Sequence, residues 1–277
     1  MPEFSVVTIV KGRRKQLANL LQSVLASTIL PLDIQVVCMD SPDEIAIPKG
    51  LQVSIHLMPK SWGLPLAAAR NKGVAAAKTD SVIFIDVDCI VSPTLFASML
   101  MDLRADNIIA AYPLYLPIMP NTGSYDELKE LAVTHPAREH ISAGESVPHL
   151  QFWSLIFAVK KQTFEKIGGF DESFTGYGAE DTDFAMMFHR AGVKQIFVRD
   201  YVLHQYHDKH DPPLNYFDSI IENATRYRKK WGVLPMQRWL RAFEAMGLIK
   251  IDQPDTITII QRPTDSQIQN SISANPY

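Results

Sequence analysis

Short apolar runs alternate with stretches of helical periodicity over the first third of the chain. Phe4 to Val10 is a β-rich run, and the apolar residues between Leu17 and Leu25 then recur at the spacing of an amphipathic helix. Ile34 to Met39 predicts a second strand, and Val53 to Leu57 a weaker third. The alanine-rich stretch from Leu64 to Ala77 predicts a helix. This alternation predicts an α/β fold with a mostly parallel central sheet and flanking helices.

The next predicted strand ends in a pair of acidic residues. The run from Val82 to Ile85 has the composition of a buried strand, and Asp86 and Asp88 follow it directly. Because side chains two residues apart point to the same side, we expect the two carboxylates to converge. They would repel each other, and a divalent cation with a preference for oxygen ligands would relieve that repulsion. Taken alone, such a pair is more often solvated turn residues, so its meaning depends on the rest of the chain.

Polar residues also follow the first two predicted strands at their carboxyl ends. Lys11, Gly12 and Arg13 come after the first strand, and Asp40 comes after the second. Parallel sheets bind ligands at the carboxyl ends of their strands. The candidate site is therefore the edge of the sheet at the carboxyl ends of these strands, where these residues and the Asp pair are expected to lie.

Two later stretches concentrate groups that can do chemistry. Glu180 and Asp181 open a predicted helix just after a glycine-rich segment that includes Gly178. The helix dipole alone would favour acidic residues there, but glycines also allow a ligand to approach the backbone closely. Three histidines, among them His204 and His207, lie within seven residues after the last predicted strand. Any one of them is more often a solvated loop residue, and a metal ligand among them is the open alternative.

The composition narrows the class of protein. The chain has 277 residues, of which 47% are apolar and 21% charged, as in an ordinary globular protein. A net charge of −3 without a long basic run argues against a nucleic-acid partner. No run reaches the roughly 18 apolar residues of a membrane span, and the amino terminus has no signal-peptide pattern. We therefore expect no transmembrane segment and a cytoplasmic location, with a peripheral position at the membrane left open.

The order of these motifs resembles that of family 2 glycosyltransferases with the GT-A fold, the fold of nucleotide-diphospho-sugar transferases. The carboxyl half resembles the galactosyltransferase type, and the resemblance covers about residues 4 to 240. The motifs that carry it are the loop after the first strand, Asp40, Leu66-Ala67-Ala68-Ala69-Arg70-Asn71-Lys72-Gly73, Phe84-Ile85-Asp86-Val87-Asp88, Gly168-Gly169-Phe170-Asp171, Gly176-Tyr177-Gly178-Ala179-Glu180-Asp181 and His204.

The resemblance implies an inverting transfer of a sugar from a nucleotide-diphosphate sugar, with a UDP-sugar as the expected donor, to an acceptor hydroxyl. It implies Mn²⁺ or Mg²⁺ as cofactor and a saccharide or lipid-linked saccharide as acceptor. Asp181 matches the general base, and Glu180 matches the neighbouring acid that contacts donor or acceptor. The implied donor-binding residues are Lys11, Arg13, Asp40, Arg70, Asn71, Asp86 and Gly178. The implied metal ligands are Asp88, with Asp86 at ribose or a metal-bound water, and His204, with His207 as its alternative.

The same resemblance predicts the division of the chain. Residues 1–250 would form a single GT-A domain. Within it, residues 1–112 would bind the nucleotide donor, and residues 151–250 would bind the acceptor and carry catalysis. The proline- and glycine-rich residues 113–150 between them predict a mobile wall over the cleft. Residues 251–277 are polar and uneven and predict a poorly ordered tail.

Some residues depart from the family pattern, and two other functions stay open. The loop after strand one is not Pro-Thr-Tyr-Asn-like, Ser41-Pro42 follows Asp40, and Ala179 replaces a glycine. One alternative is a nucleotidyltransferase that makes sugar nucleotides, although that class has no place for Glu180-Asp181. The other is a nucleotide- or sugar-binding module without catalysis, which would not need its acidic residues intact.

Overall fold

A computed structural model describes residues 3–41, 45–59, 64–121, 123–252 and 255–277. The strands are β1 (Phe4–Val10), β2 (Asp33–Cys38), β3 (Val53–Leu57), β4 (Ser81–Ile85), β5 (Cys89–Val91), β6 (Asn107–Tyr115), β7 (Val133–Thr134), β8 (Ser146–Val147), β9 (Ile156–Lys160), β10 (Lys194–His204), β11 (Lys209–His210), β12 (Ile249–Asp252), β13 (Thr256–Ile259) and β14 (Ile272–Ser273). The helices are α1 (Arg14–Leu25), α2 (Leu66–Ala76), α3 (Leu95–Asp102), α4 (Tyr125–Leu131), α5 (Lys161–Ile167), α6 (Glu180–Arg190), α7 (Phe217–Trp231), α8 (Gln237–Ala245) and α9 (Asp265–Asn270).

One large sheet, with strand order β3-β2-β1-β4-β9-β6-β10-β5, organises the protein. β1 runs parallel to β2 and β4, β2 runs parallel to β3, and β6 runs parallel to β10. β9 runs antiparallel between β4 and β6, and β5 runs antiparallel to β10. The predicted α/β fold with a mostly parallel central sheet and flanking helices is confirmed.

The two faces of the sheet carry different cores. All residues of β1, β2 and β4 are buried, as expected for strands covered on both faces. One face packs against leucines of α1 and against Phe96 of α3. On the other face, the ring of Phe84 stacks on Phe157 at 4.3 Å, and Phe170 stacks on Phe184 at 4.3 Å. This aromatic core fixes α6 against β4 and β9, and so sets where the acidic first turn of α6 lies.

The final segment is more regular than the sequence predicts. β13 pairs with β12, and β14 pairs with β11. Ile257 and Ile268 pack on the apolar cluster of α7 and α8. The tail thus contains paired strands that its low helix propensity does not predict, and the poor order predicted for it stays a prediction.

Residues 113–121 and 123–150 contain the end of β6, α4, β7 and β8, with short 3-10 turns between them. The mobility predicted for this region stays a prediction. Among the described residues, no helix is long and apolar enough to cross a membrane.

The contact between α2 and β1 gives a test of this packing. A Cβ added to Gly73 would lie well inside van der Waals contact of Val7 Cγ1. We expect Gly73→Ala to lower the free energy of unfolding by about 1–3 kcal/mol through overpacking, although alanine has the better helix propensity. Urea denaturation measures this change. Adding Val7→Ala should make the double variant more stable than the sum of the two single effects, and simple additivity would contradict the proposed contact.

Candidate active site

The loop after β1 is tied to the residue after β2. The Gly12 backbone N–H donates to Asp40 Oδ2 at 2.5 Å, and Arg14 Nη2 donates to Oδ1 at 2.8 Å. Burial alone would raise the pKa of Asp40, but these hydrogen bonds from Arg14 and Gly12 hold it below its usual value. Lys11 lies exposed at the same edge. The structure thus brings the predicted nucleotide loop and Asp40 together.

Three predicted metal ligands converge at the next corner of the sheet. Asp88, His204 and His207 each offer a ligand atom, and these atoms lie within 4.8 Å of one another. Strand pairing places them there, because His204 at the end of β10 pairs with Cys89, the residue after Asp88. The prediction from the sequence gave His204 and His207 as alternative ligands, and in the structure both lie beside Asp88. Asp86 is not a member of this group.

The donor set fits a divalent cation. Asp88 Oδ1 and His204 Nδ1 are buried and have no hydrogen-bond partner among the described residues. Burial, with smaller contributions from His207 and Arg13, lowers the pKa of His204 to about 3, so its imidazole is neutral. His207 Nδ1 donates to the carbonyl oxygen of Asp208 at 2.9 Å, which leaves Nε2 with its lone pair, 3.7 Å from Asp88 Oδ2. One carboxylate and two imidazoles suit Mn²⁺ better than Mg²⁺, which prefers oxygen ligands.

Arg13 lies in the same corner. Its guanidinium forms an ion pair with Asp88, and Nη2 lies 3.4 Å from His207 Nδ1. Arg13 precedes α1 with a left-handed backbone, φ 40° and ψ 40°. The predicted donor-binding loop and the predicted metal group are therefore one continuous site.

A buried guanidinium links this corner to the acidic end of α6. Arg70 Nη1 donates to Glu180 Oε1 at 3.2 Å, and Nη2 lies 3.8 Å from Asp86 Oδ1. The guanidinium also lies over the ring of Phe170, 5.1 Å from its centre. Arg70 thus offsets charge on both the Asp86 turn and the start of α6.

Asp181 lies next to this link and forms no ion pair with any residue that the structure describes. Its Oδ1 accepts hydrogen bonds from the Thr182 backbone N–H at 2.7 Å and from the Thr182 hydroxyl at 3.3 Å. Burial, followed by the charge of Glu180, raises the pKa of Asp181 to about 7, although Arg70 and Thr182 oppose the shift. Burial likewise raises the pKa of Asp86, although 35% of that side chain is exposed in the cleft. A carboxyl group with a pKa near neutrality can act as a general base.

The glycine-rich segment before α6 owes its glycines to packing. A Cβ on Gly176 would lie 2.5 Å from Ser219 Cβ, and one on Gly178 would lie 2.8 Å from Met236 Sδ. Ala179, which precedes α6, also has a left-handed backbone, with φ 69°. The structure explains Gly178 by its close packing near α8, and the donor contact predicted for it stays a prediction.

Asn71 fixes the loop that leads to this segment. Its Oδ1 accepts from the Phe170 backbone N–H at 2.9 Å, and its Nδ2 donates to the Phe170 carbonyl at 2.8 Å. The side chain also donates to Glu172 at 2.9 Å. Asn71 is therefore a loop-positioning residue in this structure, and its contact with a donor stays a prediction.

Sequence reasoning missed several contacts that build the site. Asp183 is fully buried and accepts from Lys230 Nζ at 2.9 Å and from Trp231 Nε1 at 2.7 Å, which fastens α6 to α7. The ring of Tyr177 stacks on Tyr216 at 4.6 Å and on Trp239 at 5.8 Å. No spacing signals these pairs, because their members are far apart in the chain.

A family comparison agrees with this geometry. Residues 43–233 match the profile of the family described as "Glycosyltransferase like family 2". The chain belongs to this family. The resemblance carried by the motifs is therefore confirmed.

Curated relatives of this family 2 chain include two named sugar-transfer or polysaccharide-synthesis enzymes. Validoxylamine A glucosyltransferase from Streptomyces hygroscopicus subsp. limoneus is 24% identical over 275 residues, covering 86% of this chain and 59% of that protein. Chondroitin synthase from Escherichia coli is 26% identical over 166 residues, covering 50% of this chain and 24% of that protein. The chain spans at most about three fifths of the length of these relatives.

Solved structures of similar fold are glycosyltransferases. Residues 1–349 of TarS from S. aureus superpose with a TM-score of 0.54 at 16% identity, covering 82% of this chain and 65% of that chain. GalNAc-T7 with UDP, GalNAc and Mn²⁺ gives a TM-score of 0.55 at 18% identity, covering 74% and 43%. At these identities the likeness shows the fold alone, and it confirms the predicted GT-A fold.

The surroundings of Asp181 predict a pH-dependent stability. Its pKa of about 7 in the folded state exceeds the ordinary 3.8, so between these pH values the folded protein keeps a proton that the unfolded chain has lost. Ionisation of Asp181 therefore lowers stability as the pH rises through this window. We expect the melting temperature of Asp181→Asn to gain on that of the wild type from pH 5 to pH 8.

Thermal unfolding of both proteins at pH 5, 6, 7 and 8 measures this difference. Asp106→Asn is the control, because Asp106 is an exposed turn residue outside the site. A constant difference between Asp181→Asn and wild type across the pH range would contradict the assignment.

Proposed function

We propose that this chain carries out a divalent-metal-dependent, inverting transfer of a sugar from a UDP-sugar to an acceptor hydroxyl. The observation that carries the proposal is that two groups lie at one edge of the sheet. One is Asp88 with His204 and His207, which could bind a metal ion, and the other is Asp181, a carboxyl group with a raised pKa. Arg70 connects the two through Asp86 and Glu180. Membership of a glycosyltransferase family supports the same reaction class.

The donor half of the site suits a departing diphosphate. The leaving group gains negative charge as the glycosidic bond breaks, and a cation held by Asp88, His204 and His207 would stabilise that charge. Arg13 adds a guanidinium at the same corner. Solved relatives support the nucleotide and the metal, since TarS was crystallised with UDP and with UDP-GlcNAc, and GalNAc-T7 with UDP and Mn²⁺.

The acceptor half suits a hydroxyl that must lose its proton. Asp181 is the carboxylate that would take this proton as the hydroxyl attacks the anomeric carbon. In an inverting reaction this attack displaces the diphosphate in one step, so the base and the leaving-group site must belong to separate groups of residues. Asp181 lies outside the group of Asp88, His204 and His207, which supports this division. Glu180 would contact donor or acceptor, since it holds a hydrogen bond from Arg70 beside the base.

The aromatic stack near the base supports a saccharide acceptor, free or lipid-linked. Tyr177 lies close enough to Glu180 and Asp181 for their charges to act on its hydroxyl, and its ring stacks with both Tyr216 and Trp239. The Tyr216 side is open, since 38% of that residue is exposed. Aromatic rings present a flat apolar face of the kind that the apolar face of a sugar ring can cover.

Nucleotide binding gives the first test. We expect UDP with Mn²⁺ to raise the melting temperature more than GDP, CDP or dTDP with Mn²⁺, and more than UDP alone. A ligand at about 100 times its dissociation constant adds about 2.7 kcal/mol to the free energy of unfolding, which a thermal-shift assay detects. Asp88→Ala should remove the metal-dependent part, while Asp80→Ala, outside the site, should keep it. No metal-dependent shift with any nucleotide would contradict the proposed donor site.

The base assignment gives the second test. We expect Asp181→Asn to lower the turnover rate by about 10²–10⁴-fold, because the acceptor proton then has no carboxylate to receive it. UDP release from UDP-glucose, UDP-GlcNAc and UDP-GalNAc with a panel of saccharide acceptors measures the rate. The UDP affinity in Mn²⁺ should stay near that of the wild type. Near-full turnover in the variant would show that Asp181 is not the base.

A further inference from the structure

Gln205 is a fully buried amide that the proposed reaction does not use directly. It lies between His204 and His207, with 0% of its surface exposed. β10 ends at His204, so Gln205 is the first residue beyond the strand. Its side chain can serve neither as a base nor as a strong ligand for a divalent cation at this depth, so its burial needs a structural cause.

The hydrogen bonds of Gln205 reach two different parts of the site, the Asp88 turn and α1. Its backbone N–H donates to the Asp88 carbonyl oxygen at 2.6 Å. Its Nε2 donates to the Gln16 carbonyl oxygen at 3.1 Å, and its Oε1 accepts from Asn19 Nδ2 at 2.7 Å. Gln16 and Asn19 belong to α1, the helix that begins directly after Arg13. One residue therefore fastens together the acidic turn, the histidine segment and the helix behind the nucleotide loop.

We propose that Gln205 is a positioning residue that holds Asp88 and His207 at the spacing a divalent cation requires. This inference rests on the metal site of the proposed function. His204 is held by its pairing with Cys89, but His207 lies beyond the strand and has no such pairing. The contacts of Gln205 take over where the strand ends, because they tie the chain between the histidines to both Asp88 and α1.

The strength of this constraint follows from burial. Removing the amide would leave the Gln16 carbonyl and the Asn19 amide without their partner, and the segment would shift to regain hydrogen bonds. Loss of a residue that orients metal ligands typically weakens metal affinity by about 10–100-fold. Many buried substitutions lower the stability of the metal-free protein, so a loss of stability would not identify this role. A loss of metal affinity would, and metal affinity is therefore the property to measure.

The experiment is a Mn²⁺ titration followed by electron paramagnetic resonance, in which bound Mn²⁺ loses the six-line signal of the free ion. We expect Gln205→Leu, which keeps a similar volume without the amide, to raise the Mn²⁺ dissociation constant by about 10–100-fold. Gln195→Leu is the matched control, because Gln195 is a buried glutamine of β10, the strand that Gln205 follows, and its amide has no partner among the described residues. It should leave Mn²⁺ affinity unchanged.

Asn19→Ala removes only the outer partner of the amide and guards against a variant that fails to fold. It should weaken Mn²⁺ binding in the same direction, and its effect should be smaller in the Gln205→Leu background than in the wild type. Wild-type affinity in Gln205→Leu, or equal weakening in Gln195→Leu, would overturn the positioning role. Absence of Mn²⁺ binding by the wild type is a distinct result, which would overturn the proposed metal site itself.

Discussion

The site depends on one constraint: several carboxylates meet at a sheet edge where water cannot fully solvate them. Their charges must be offset by protein groups, and Arg70 is the central one, since it lies between Asp86 and Glu180 and is itself only 5% exposed. The guanidinium of Arg70 also lies over the ring of Phe170 in a cation–π contact. The acids on the two sides of Arg70, Asp88 and Asp181, are left with different unmet interactions. Among the described residues, one oxygen of Asp88 has no hydrogen-bond partner, and Asp181 forms no ion pair, although the charge of Arg70 still acts on it.

The fold explains how residues far apart in sequence share this edge. β1, β2 and β4 run parallel and bring their following loops to one side, and β10 reaches the same side beside β6. The antiparallel pair of β10 and β5 then sets His204 against the residue after Asp88. Asp88, His204 and His207, which span more than a hundred residues of the sequence, thus come together through the pairing of β10 with β5 and β6, and Gln205 extends the contact by one residue.

The parts that the sequence predicts and the parts it misses differ in physical kind. Asp86 and Asp88 are recognisable because a local pattern, an apolar strand ending in two acids, carries the information. Gln205 and Lys230 are not recognisable, because their partners lie on other elements and no periodicity encodes them. Lys230 sits in a basic run that looks like a solvated helix face, yet it reaches buried Asp183. The same limit explains the strand β14 in the tail, whose partner β11 lies more than sixty residues earlier in the chain.

Two acids in the first turn of α6 show how neighbouring residues acquire different roles. Burial raises the pKa of both carboxyl groups. Asp183 accepts hydrogen bonds from Lys230 and Trp231, whereas Asp181, among the described residues, accepts them from Thr182 and faces the charge of Glu180, with Arg70 opposing the shift. Asp183 therefore anchors the helix to α7, and Asp181 is left with a carboxylate that gains by accepting a proton. The buried charge of Asp181 destabilises the fold. The hydrogen bonds of Asp183, two residues away, keep the first turn of α6 in place. The raised pKa of Asp181 and the anchoring of Asp183 both follow from the packing of this one helix end.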